Sequence, residues 1–402
     1  MRFCFYSDYK DLKGGFTTLL ITLIKQLTNS GYKVVLFNYS DGLIARELND
    51  VSKNLTIVDL VQTPVSNLSD FVQRDDIFII STFSEFLSNF MVKNPLIIYY
   101  DINDFILNIS DYKFGLRLPF LGKKLVKKLH DKESLIFMDD TGIGNLNREF
   151  KFVVPHPKYL PIPLKEERIN LYKTQERELN DGIRISYIGR SVNWKMYPLK
   201  KIIEDCFLTN ERITINIVID NKEELIKYIN IDDYKKGKLT LNIWENLPPS
   251  QINPFLINNS DLNFGMGTTA LHSAAIGIPT ILIDYSYYPF PKEYSYSWLW
   301  DAQNYSLGRN IDKVSFSKGN TMKQLLSQIK DKKERTHLSD LAFLYVANNH
   351  ADNKVLKQLI EYSQQARFRL RDAKWLYPYF FKVHSITKRI TRVLLKKDST
   401  PQ

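Results

Sequence analysis

Apolar runs rich in β-branched residues alternate along this chain with segments whose apolar positions recur at helical spacing. The pattern predicts a first strand at residues 2–6, an amphipathic helix at 17–29 and a second strand at 31–37. The inward positions of that helix are Leu19, Leu20, Leu23, Ile24 and Leu27. This alternation indicates an α/β protein built of doubly wound parallel sheets.

The same pattern continues along the chain. Further strands are predicted at residues 77–80, 96–100, 134–138, 185–188, 213–219, 239–242 and 280–283. Further helices are predicted at 198–208, 268–276, 323–330 and 339–361. Prolines between residues 154 and 163 predict the end of a first domain, and a charged stretch follows them. The predicted organisation is a domain at 1–164, a linker at 165–182, a second domain at 183–350, and C-terminal helices with a basic tail at 351–402.

Composition agrees with two domains in a reduced compartment. A chain of 402 residues with 44% hydrophobic residues can bury two cores. Cys4 and Cys206 both lie in apolar surroundings, which predicts buried reduced thiols of a cytoplasmic protein. No apolar run reaches the length of a spanning helix and no signal peptide is apparent, so we expect a soluble or peripheral protein.

The segment from Asp261 to Asp284 has the parts of a phosphate-binding device. Its glycines, Gly265 and Gly267, allow the backbone to approach a ligand closely, and Thr268 and Thr269 then open a helix. Gly277 and Pro279 end that helix, and an apolar strand follows. The succession predicts a nucleotide or a sugar phosphate as ligand.

A dinucleotide site is one interpretation of this device. Gly265, Gly267 and Ala270 fit the G-x-G-x-x-A spacing, and Asp284 stands where an acid would bind ribose hydroxyls. Against it, the predicted strand at 258–264 is poor in aliphatic residues, the helix is short, and the motif lies late in the chain.

The other interpretation is a resemblance that three motifs carry together. The chain opens with a strand, the pair Gly14 and Gly15, a helix, and a second strand. In the middle, a strand ends in Gly189-Arg190 and Lys195 follows. The Gly265 device then comes in the expected place. This succession resembles the GT-B glycosyltransferases, which implies two Rossmann-like domains facing a cleft.

The resemblance also implies a site. Arg190 and Lys195 match the clamp on the donor diphosphate, and cations with backbone N–H groups could stabilise that leaving group without a metal or other cofactor. The positions matching nucleotide-sugar contacts are Gly14, Gly15, Gly189, Arg190, Lys195, Gly265, Gly267, Thr268, Thr269 and His272. Asp101 follows a strand near the expected acceptor position, where it orients an acceptor hydroxyl or acts as base if the enzyme inverts; the alternative is a plain strand-end or helix N-cap Asp.

The chain departs from the family at two positions. The retaining pattern has two glutamates eight residues apart, and Phe264 and His272 stand in their places. Donor identity and stereochemistry therefore do not carry over. His272 is either a ligand contact or a packed helix residue. Aromatic residues after Asp284 suit stacking on a sugar or base, or a packed edge of the domain.

The formal charge of +11 is concentrated near the C-terminus. Between residues 366 and 397 the single acid Asp372 stands against Arg367, Arg369, Arg371, Lys374, Lys382, Lys388, Arg389, Arg392, Lys396 and Lys397. Apolar residues at helical spacing from 383 to 394 predict an interfacial helix on an anionic membrane. Residues 121–129 form a shorter patch, with Leu121, Leu125 and Leu129 on one face. An ordinary solvated helix that packs on its own domain is one alternative, nucleic-acid binding is another, and we expect no nucleic-acid partner.

These observations predict a peripheral enzyme on the cytoplasmic face of the membrane. It would move a sugar from a nucleotide-sugar donor to a lipid-linked or polysaccharide acceptor in bacterial surface-glycan synthesis. A non-catalytic nucleotide- or glycan-binding scaffold is the main alternative, because the family glutamates are missing. An NAD-binding oxidoreductase is the other.

Overall fold

The computed structural model describes residues 1–11, 15–50, 53–83, 85–102, 119–165, 179, 182–234, 238–311 and 319–376. The chain divides into two compact units. Unit 1 comprises Met1–Pro161 together with the chain from Leu356 onward, and unit 2 comprises Ile162–Val355. The linker predicted at 165–182 and the tail beyond residue 376 lie largely outside the described residues, as does Gly14.

Unit 1 is built on a parallel sheet of six strands in the order β3-β2-β1-β4-β5-β6. The strands are β1 (Arg2–Tyr6), β2 (Lys33–Asn38), β3 (Leu55–Asp59), β4 (Ile77–Ile80), β5 (Leu96–Asp101) and β6 (Leu135–Phe137). The helices are α1 (Gly15–Asn29), α2 (Leu43–Glu47), α3 (Pro119–Asp131) and α4 (Asp140–Phe150). Every described strand pair in this sheet is parallel. This confirms the predicted doubly wound arrangement.

The apolar pattern of α1 explains how that helix packs. All five residues predicted to face inward are buried: Leu19, Leu20, Leu23, Ile24 and Leu27. Cys4 on β1 and Cys206 in unit 2 are buried free thiols, as predicted. On α3, Leu121, Leu125 and Leu129 are buried in the core of unit 1. The interpretation of 121–129 as a membrane-facing apolar patch was therefore wrong, because that face packs on its own domain.

The chain returns to unit 1 after crossing unit 2. Phe368 is fully buried there, and its carbonyl accepts a hydrogen bond of 2.8 Å from the Ile97 backbone. The guanidinium groups of Arg369 and Arg371 donate to backbone carbonyls of unit 1, and Arg367 donates to carbonyls just before it. These three cations, predicted as part of a membrane surface, are instead held by the protein's own backbone.

Unit 2 carries a second sheet of six strands, in the order β9-β8-β7-β10-β11-β12. The strands are β7 (Ile183–Ile188), β8 (Ile213–Ile219), β9 (Leu239–Glu245), β10 (Leu262–Gly265), β11 (Thr280–Leu282) and β12 (Ser297–Trp298). The helices are α5 (Asn193–Leu208), α6 (Lys222–Ile226), α7 (Ile252–Asn259), α8 (Thr268–Ala275), α9 (Met322–Lys330), α10 (Lys332–Asn349) and α11 (Asp352–Gln365), of which α11 runs on into unit 1. The short β12 is antiparallel to β11, and the other described pairs are parallel.

Among the predicted boundaries that differ from the structure, three change the interpretation most. Helix α5 begins at Asn193 and not at Pro198, so Lys195 lies in its first turn. The strand predicted at 258–264 is partly helix, because α7 continues to Asn259. The helix predicted at 339–361 is two helices, interrupted where the backbone of residue 351 bridges to that of residue 164.

The order of strands places a crevice in unit 2. Strands β8 and β9 lie on one side of β7, and β10 and β11 lie on the other. The winding of the chain therefore reverses between β7 and β10. In open α/β sheets, ligands bind beyond the carboxyl ends of the strands at such a reversal. The segments that follow β7 and β10 are those singled out by the sequence. None of the helices described is long and apolar enough to cross a bilayer.

Candidate functional site

The segment after β7 is shaped by a buried tyrosine beneath it. Tyr187 is 1% exposed, and its hydroxyl donates a 3.0 Å hydrogen bond to the backbone carbonyl of Lys195. This bond ties the first turn of α5 to the sheet. A Cβ on Gly189 would lie 2.9 Å from the Tyr187 hydroxyl and 3.0 Å from its ring, so the tight path explains the glycine.

Arg190 and Lys195 bring two cations to this edge of the sheet. Arg190 is exposed and Lys195 is half-buried. The Lys195 ammonium lies 5.2 Å from the centre of the Trp194 ring, and neither cation forms a salt bridge with a described residue. Burial is the larger cause and repulsion from Arg190 the smaller cause that together lower the pKa of Lys195 to about 8. Asp220 partly opposes the shift. The Asp220 carboxylate opposes these two cations only in part, and two cations side by side favour binding of an anion.

Asp220, at the end of β8, braces the same segment. Its carboxylate accepts a 2.6 Å bond from the Ser191 backbone N–H, and the Ser191 hydroxyl accepts a 3.1 Å bond from the Asn221 backbone N–H. Burial alone would raise the pKa of Asp220, but the bonds from Ser191 and the charge of Arg190 outweigh it and lower the pKa. Sequence reasoning missed this brace, because a lone Asp after a strand carries no distinctive signal.

The segment after β10 leads into the N-terminus of α8 as predicted. A Cβ on Gly265 would lie 2.9 Å from the Ala270 backbone nitrogen, so this glycine lets the helix approach the strand. Gly267 has φ 61° and ψ −141°, a conformation that side chains rarely adopt, and the space around its Cα is open. As the residue before the helix it has no side chain to cap the N–H groups of Thr268 and Thr269. An anion would satisfy them.

A loop remote in sequence holds this segment from behind. The Gly267 N–H donates a 2.8 Å bond to the carbonyl of Leu307. Gly308 has φ 125°, and a Cβ there would lie 3.3 Å from Met266 and 3.0 Å from the Ile283 carbonyl. Thr269 turns its hydroxyl inward to the Met266 carbonyl at 2.9 Å. The Thr269 side chain therefore stabilises the turn. The group that Thr269 presents to an anion at the N-terminus of α8 is its backbone N–H.

The two positions where the family has glutamates differ in their surroundings. Phe264 is fully buried in β10, with its ring edge-on to Tyr296 at 5.3 Å between centroids. That position is a core position here, and it contributes no ionisable group. His272 lies half-buried on the last turn of α8 and has a partner within the fold.

Asp284 does not have the free carboxylate that a dinucleotide site requires. Its oxygens accept bonds from the Arg309 backbone at 3.0 Å, from the Arg309 guanidinium at 3.3 Å and from the Tyr294 hydroxyl at 3.2 Å. The glycine motif also follows β10, the fourth strand of its sheet in chain order, whereas the dinucleotide fingerprint follows the first. Both observations count against the dinucleotide interpretation.

The aromatic residues after Asp284 divide into two groups. Tyr294 and Tyr296 are buried in the core of unit 2. Tyr285 instead contacts Trp194 edge-on at 5.4 Å, and the more exposed Tyr287 contacts Tyr285 at 6.2 Å. The rings of Trp194, Tyr285 and Tyr287 therefore form a row of contacting aromatic side chains that begins beside Lys195. The packed role is therefore confirmed for Tyr294 and Tyr296, and stacking of a sugar or base on Tyr285 and Tyr287 stays a prediction.

Two predicted residues lie in unit 1. Gly15 is the exposed first residue of α1, which follows β1 at the reversal between β1 and β4. Asp101 ends β5 and is 5% exposed. A Cβ on Gly142 would clash with the Asp101 carboxylate, so the first turn of α4 packs closely against this acid. Gly14 lies outside the described residues. The roles predicted for Gly15 and Asp101 stay predictions.

Comparison with known proteins identifies the fold. No protein-family model and no curated protein sequence matches the chain. A glycosyltransferase from Rickettsia africae is similar in structure, with a TM-score of 0.61 and 12% identity over 90% of this chain and 98% of that chain. Anabaena HepE in complex with UDP gives 0.58 and 12% over 90% and 99%. The lipopolysaccharide outer core galactosyltransferase WaaB gives 0.55 and 12% over 90% and 99%. The chain therefore has the two-domain α/β fold called GT-B, as its motifs predicted.

Proposed function

We propose, with the GT-B fold as the premise, that this protein transfers a glycosyl group from a nucleoside diphosphate sugar to an acceptor hydroxyl. One observation carries the proposal. At the strand reversal of unit 2, Arg190 and Lys195 follow β7 and form no salt bridge with a described residue, and the uncapped N-terminus of α8 follows the neighbouring β10. Cations and helix N–H groups are the elements that bind a diphosphate. Similar structures hold UDP, which makes UDP the first ligand to test.

The same groups can assist the reaction. When the bond from the sugar carbon to the β-phosphate oxygen breaks, the diphosphate gains negative charge. Arg190, Lys195 and the N–H groups of Thr268 and Thr269 would stabilise that charge in place, and no metal is needed in this scheme. The sugar carbon then bonds to the acceptor oxygen, whose proton must leave. Asp101 is the base we propose for that proton if the reaction inverts configuration.

The test separates the site from the fold. Arg190→Ala and Lys195→Ala should each weaken UDP binding by about tenfold or more, the usual effect of removing a charged hydrogen-bond donor. Lys200→Ala is the matched control, because Lys200 lies on the same helix and pairs loosely with Glu204 at 4.0 Å. Isothermal titration measures binding, and a panel of nucleotide sugars measures transfer and hydrolysis. Unchanged affinity in both site variants would refute the proposal.

A second candidate function is a non-catalytic nucleotide- or glycan-binding scaffold. The burial of Phe264 favours it, because the position supplies no acid. The two functions differ in turnover. A scaffold binds UDP or a UDP sugar through Arg190 and Lys195 but transfers no sugar with any donor and acceptor. A transferase releases the nucleoside diphosphate, and Asp101→Asn should slow that release if Asp101 is the base.

The acceptor belongs to the same proposal. We infer a lipid-linked or polysaccharide acceptor, met at an anionic membrane on the cytoplasmic face. Support comes from unit 1, where Lys124 and Lys128 lie 4.6 and 5.7 Å from the ring centre of Trp375. The basic residues from 377 onward follow this cluster directly. Deleting residues 377–402 should abolish sedimentation with anionic liposomes at low salt and leave UDP binding intact. Equal sedimentation of both forms would contradict the membrane role.

A further inference from the structure

Strand β9 forms one edge of the sheet of unit 2. It pairs with β8, and no other described strand pairs with it. The Ile213 N–H bonds to the Lys238 carbonyl, and the Asn246 N–H bonds to the Ile219 carbonyl. Along a strand, the backbone groups of successive residues point alternately to one side and to the other. These two bonds therefore show which residues of β9 point towards β8. The residues whose N–H and C=O groups point away from β8 are Leu239, Leu241, Ile243 and Glu245.

These outward groups have no hydrogen-bond partner among the described residues. Natural proteins usually protect such an edge with prolines, charges or a covering element, because it pairs readily with another strand. At β9 the central residues are Leu241, Asn242 and Ile243, none of them charged. The edge is thus suited to receive a strand.

An open groove lies along the same edge. It encloses about 400 Å³ and is lined by Lys222, Ile226, Asn230, Ile231, Asp232, Leu241 and Ile243. Ile226 is 53% exposed, so much of its apolar surface faces the groove or solvent. The lining is apolar at Ile226, Ile231, Leu241 and Ile243 and charged at Lys222 and Asp232.

We propose that two copies of this chain associate through β9, paired antiparallel about a two-fold axis that passes at Asn242. In this register Leu241 of one copy faces Ile243 of the other, and Leu239 faces Glu245. In each pair, both residues have backbone N–H and C=O groups that point away from β8. These groups can therefore bond to each other, and the hydrogen bonds of both strands are satisfied. A two-fold axis requires such self-complementarity of the surface.

The charges near the two ends of β9 support a second copy of this chain as the partner. Exposed Lys238 precedes the strand and exposed Glu245 ends it, so each end of the antiparallel pair carries one charge of each sign, on opposite faces of the sheet. In the groove, Lys222 lies at the Glu245 end, since its N–H donates to that carboxylate at 3.1 Å. Asp232 precedes the strand at the other end. Each Lys222 would therefore approach an Asp232 of the second copy.

A charge-swap experiment tests the register. The double variant Leu241→Lys with Ile243→Lys places like charges opposite each other and should abolish the dimer. The double variant Leu241→Lys with Ile243→Glu alters the same two positions but places opposite charges together, and it should restore the dimer. Analytical ultracentrifugation follows the mass over a range of concentrations. A wild type that is monomeric throughout, or a lysine pair that still dimerises, overturns the proposal.

Hydrogen exchange of the wild type provides a second measurement that does not depend on how the variants fold. The amides of Leu241 and Ile243 should exchange more slowly as protein concentration rises, because they become bonded only in the dimer. Concentration-independent exchange at both amides contradicts the pairing. UDP binding takes no part in either measurement.

Discussion

Raising the pH from 7 to 9 should weaken the binding of UDP, because Lys195 loses its charge in that interval. Burial and the neighbouring Arg190 lower the pKa of Lys195 to about 8. About nine tenths of the amines are charged at pH 7 and about one tenth at pH 9, so the affinity should fall by roughly tenfold. Bound diphosphate favours the charged form and raises the pKa, so binding above pH 8 takes up a proton.

The assay is isothermal titration of UDP at a series of pH values. Lys195→Arg keeps a charge at every pH used and should bind with an affinity that hardly varies. Lys195→Met should bind weakly, also with little variation. If the wild-type affinity is flat between pH 7 and 9 and Lys195→Met binds as tightly as the wild type, Lys195 does not contact the diphosphate; a flat profile with weak binding by Lys195→Met refutes the lowered pKa instead. If Lys195→Met retains the tenfold change, another group causes it.

The same pKa has the opposite effect on the stability of the free protein. The unfolded chain holds the Lys195 proton up to its ordinary pKa of 10.5, whereas the folded protein releases it near 8. The free energy of unfolding should therefore rise with pH between those values and not fall. Replacing the partly buried ammonium in Lys195→Met should stabilise the ligand-free protein by on the order of 1–3 kcal/mol. Denaturant unfolding below pH 8 measures this difference, and a destabilised variant would contradict it.

Three further variants test the scaffold around the site. Gly267→Ala forces a side chain into φ 61° without a clash, so it should cost about 1–3 kcal/mol and weaken UDP binding; wild-type affinity would show that the turn does not shape the site. Tyr187→Phe removes the 3.0 Å bond to the Lys195 carbonyl and should cost about 1–2 kcal/mol, measured by denaturant unfolding, with weaker UDP binding; unchanged binding would make the bond purely structural. Asp284→Asn breaks the ion pair with Arg309 and should lower the midpoint of denaturant unfolding. NAD should stabilise neither the wild type nor this variant. Stabilisation of the wild type by NAD would support the dinucleotide interpretation instead.

The sequence predicted the parts of the fold that depend on local pattern. The inward face of α1, the helix after Gly267 and its end before Gly277 all follow from side chains within one turn of each other. The motif also predicted that Arg190 and Lys195 follow the end of a strand, as they do in the structure. Phe264 was recognised as a departure from the family pattern, and the structure explains it as a core residue.

The features that sequence reasoning missed depend on contacts between distant residues. Leu307 supports Gly267, and Phe368 pairs with the backbone of Ile97, yet neither segment carries a local signal of its partner. The start of α5 was misplaced because Pro198 is a common first helical residue, whereas the tertiary bond from Tyr187 holds an earlier turn in place. Arg369 and Arg371 looked like part of a surface cluster because their backbone acceptors lie far away in sequence.

Hydrogen exchange in the presence of UDP tests the central claim most directly. The claim is that a nucleoside diphosphate binds at the strand reversal of unit 2, between the segment after β7 and the start of α8. UDP should slow the exchange of the amides of Arg190, Thr268 and Thr269, with Lys195→Ala reducing the effect at a fixed UDP concentration. Protection confined to other parts of the chain, or no protection with any nucleoside diphosphate, would contradict the account.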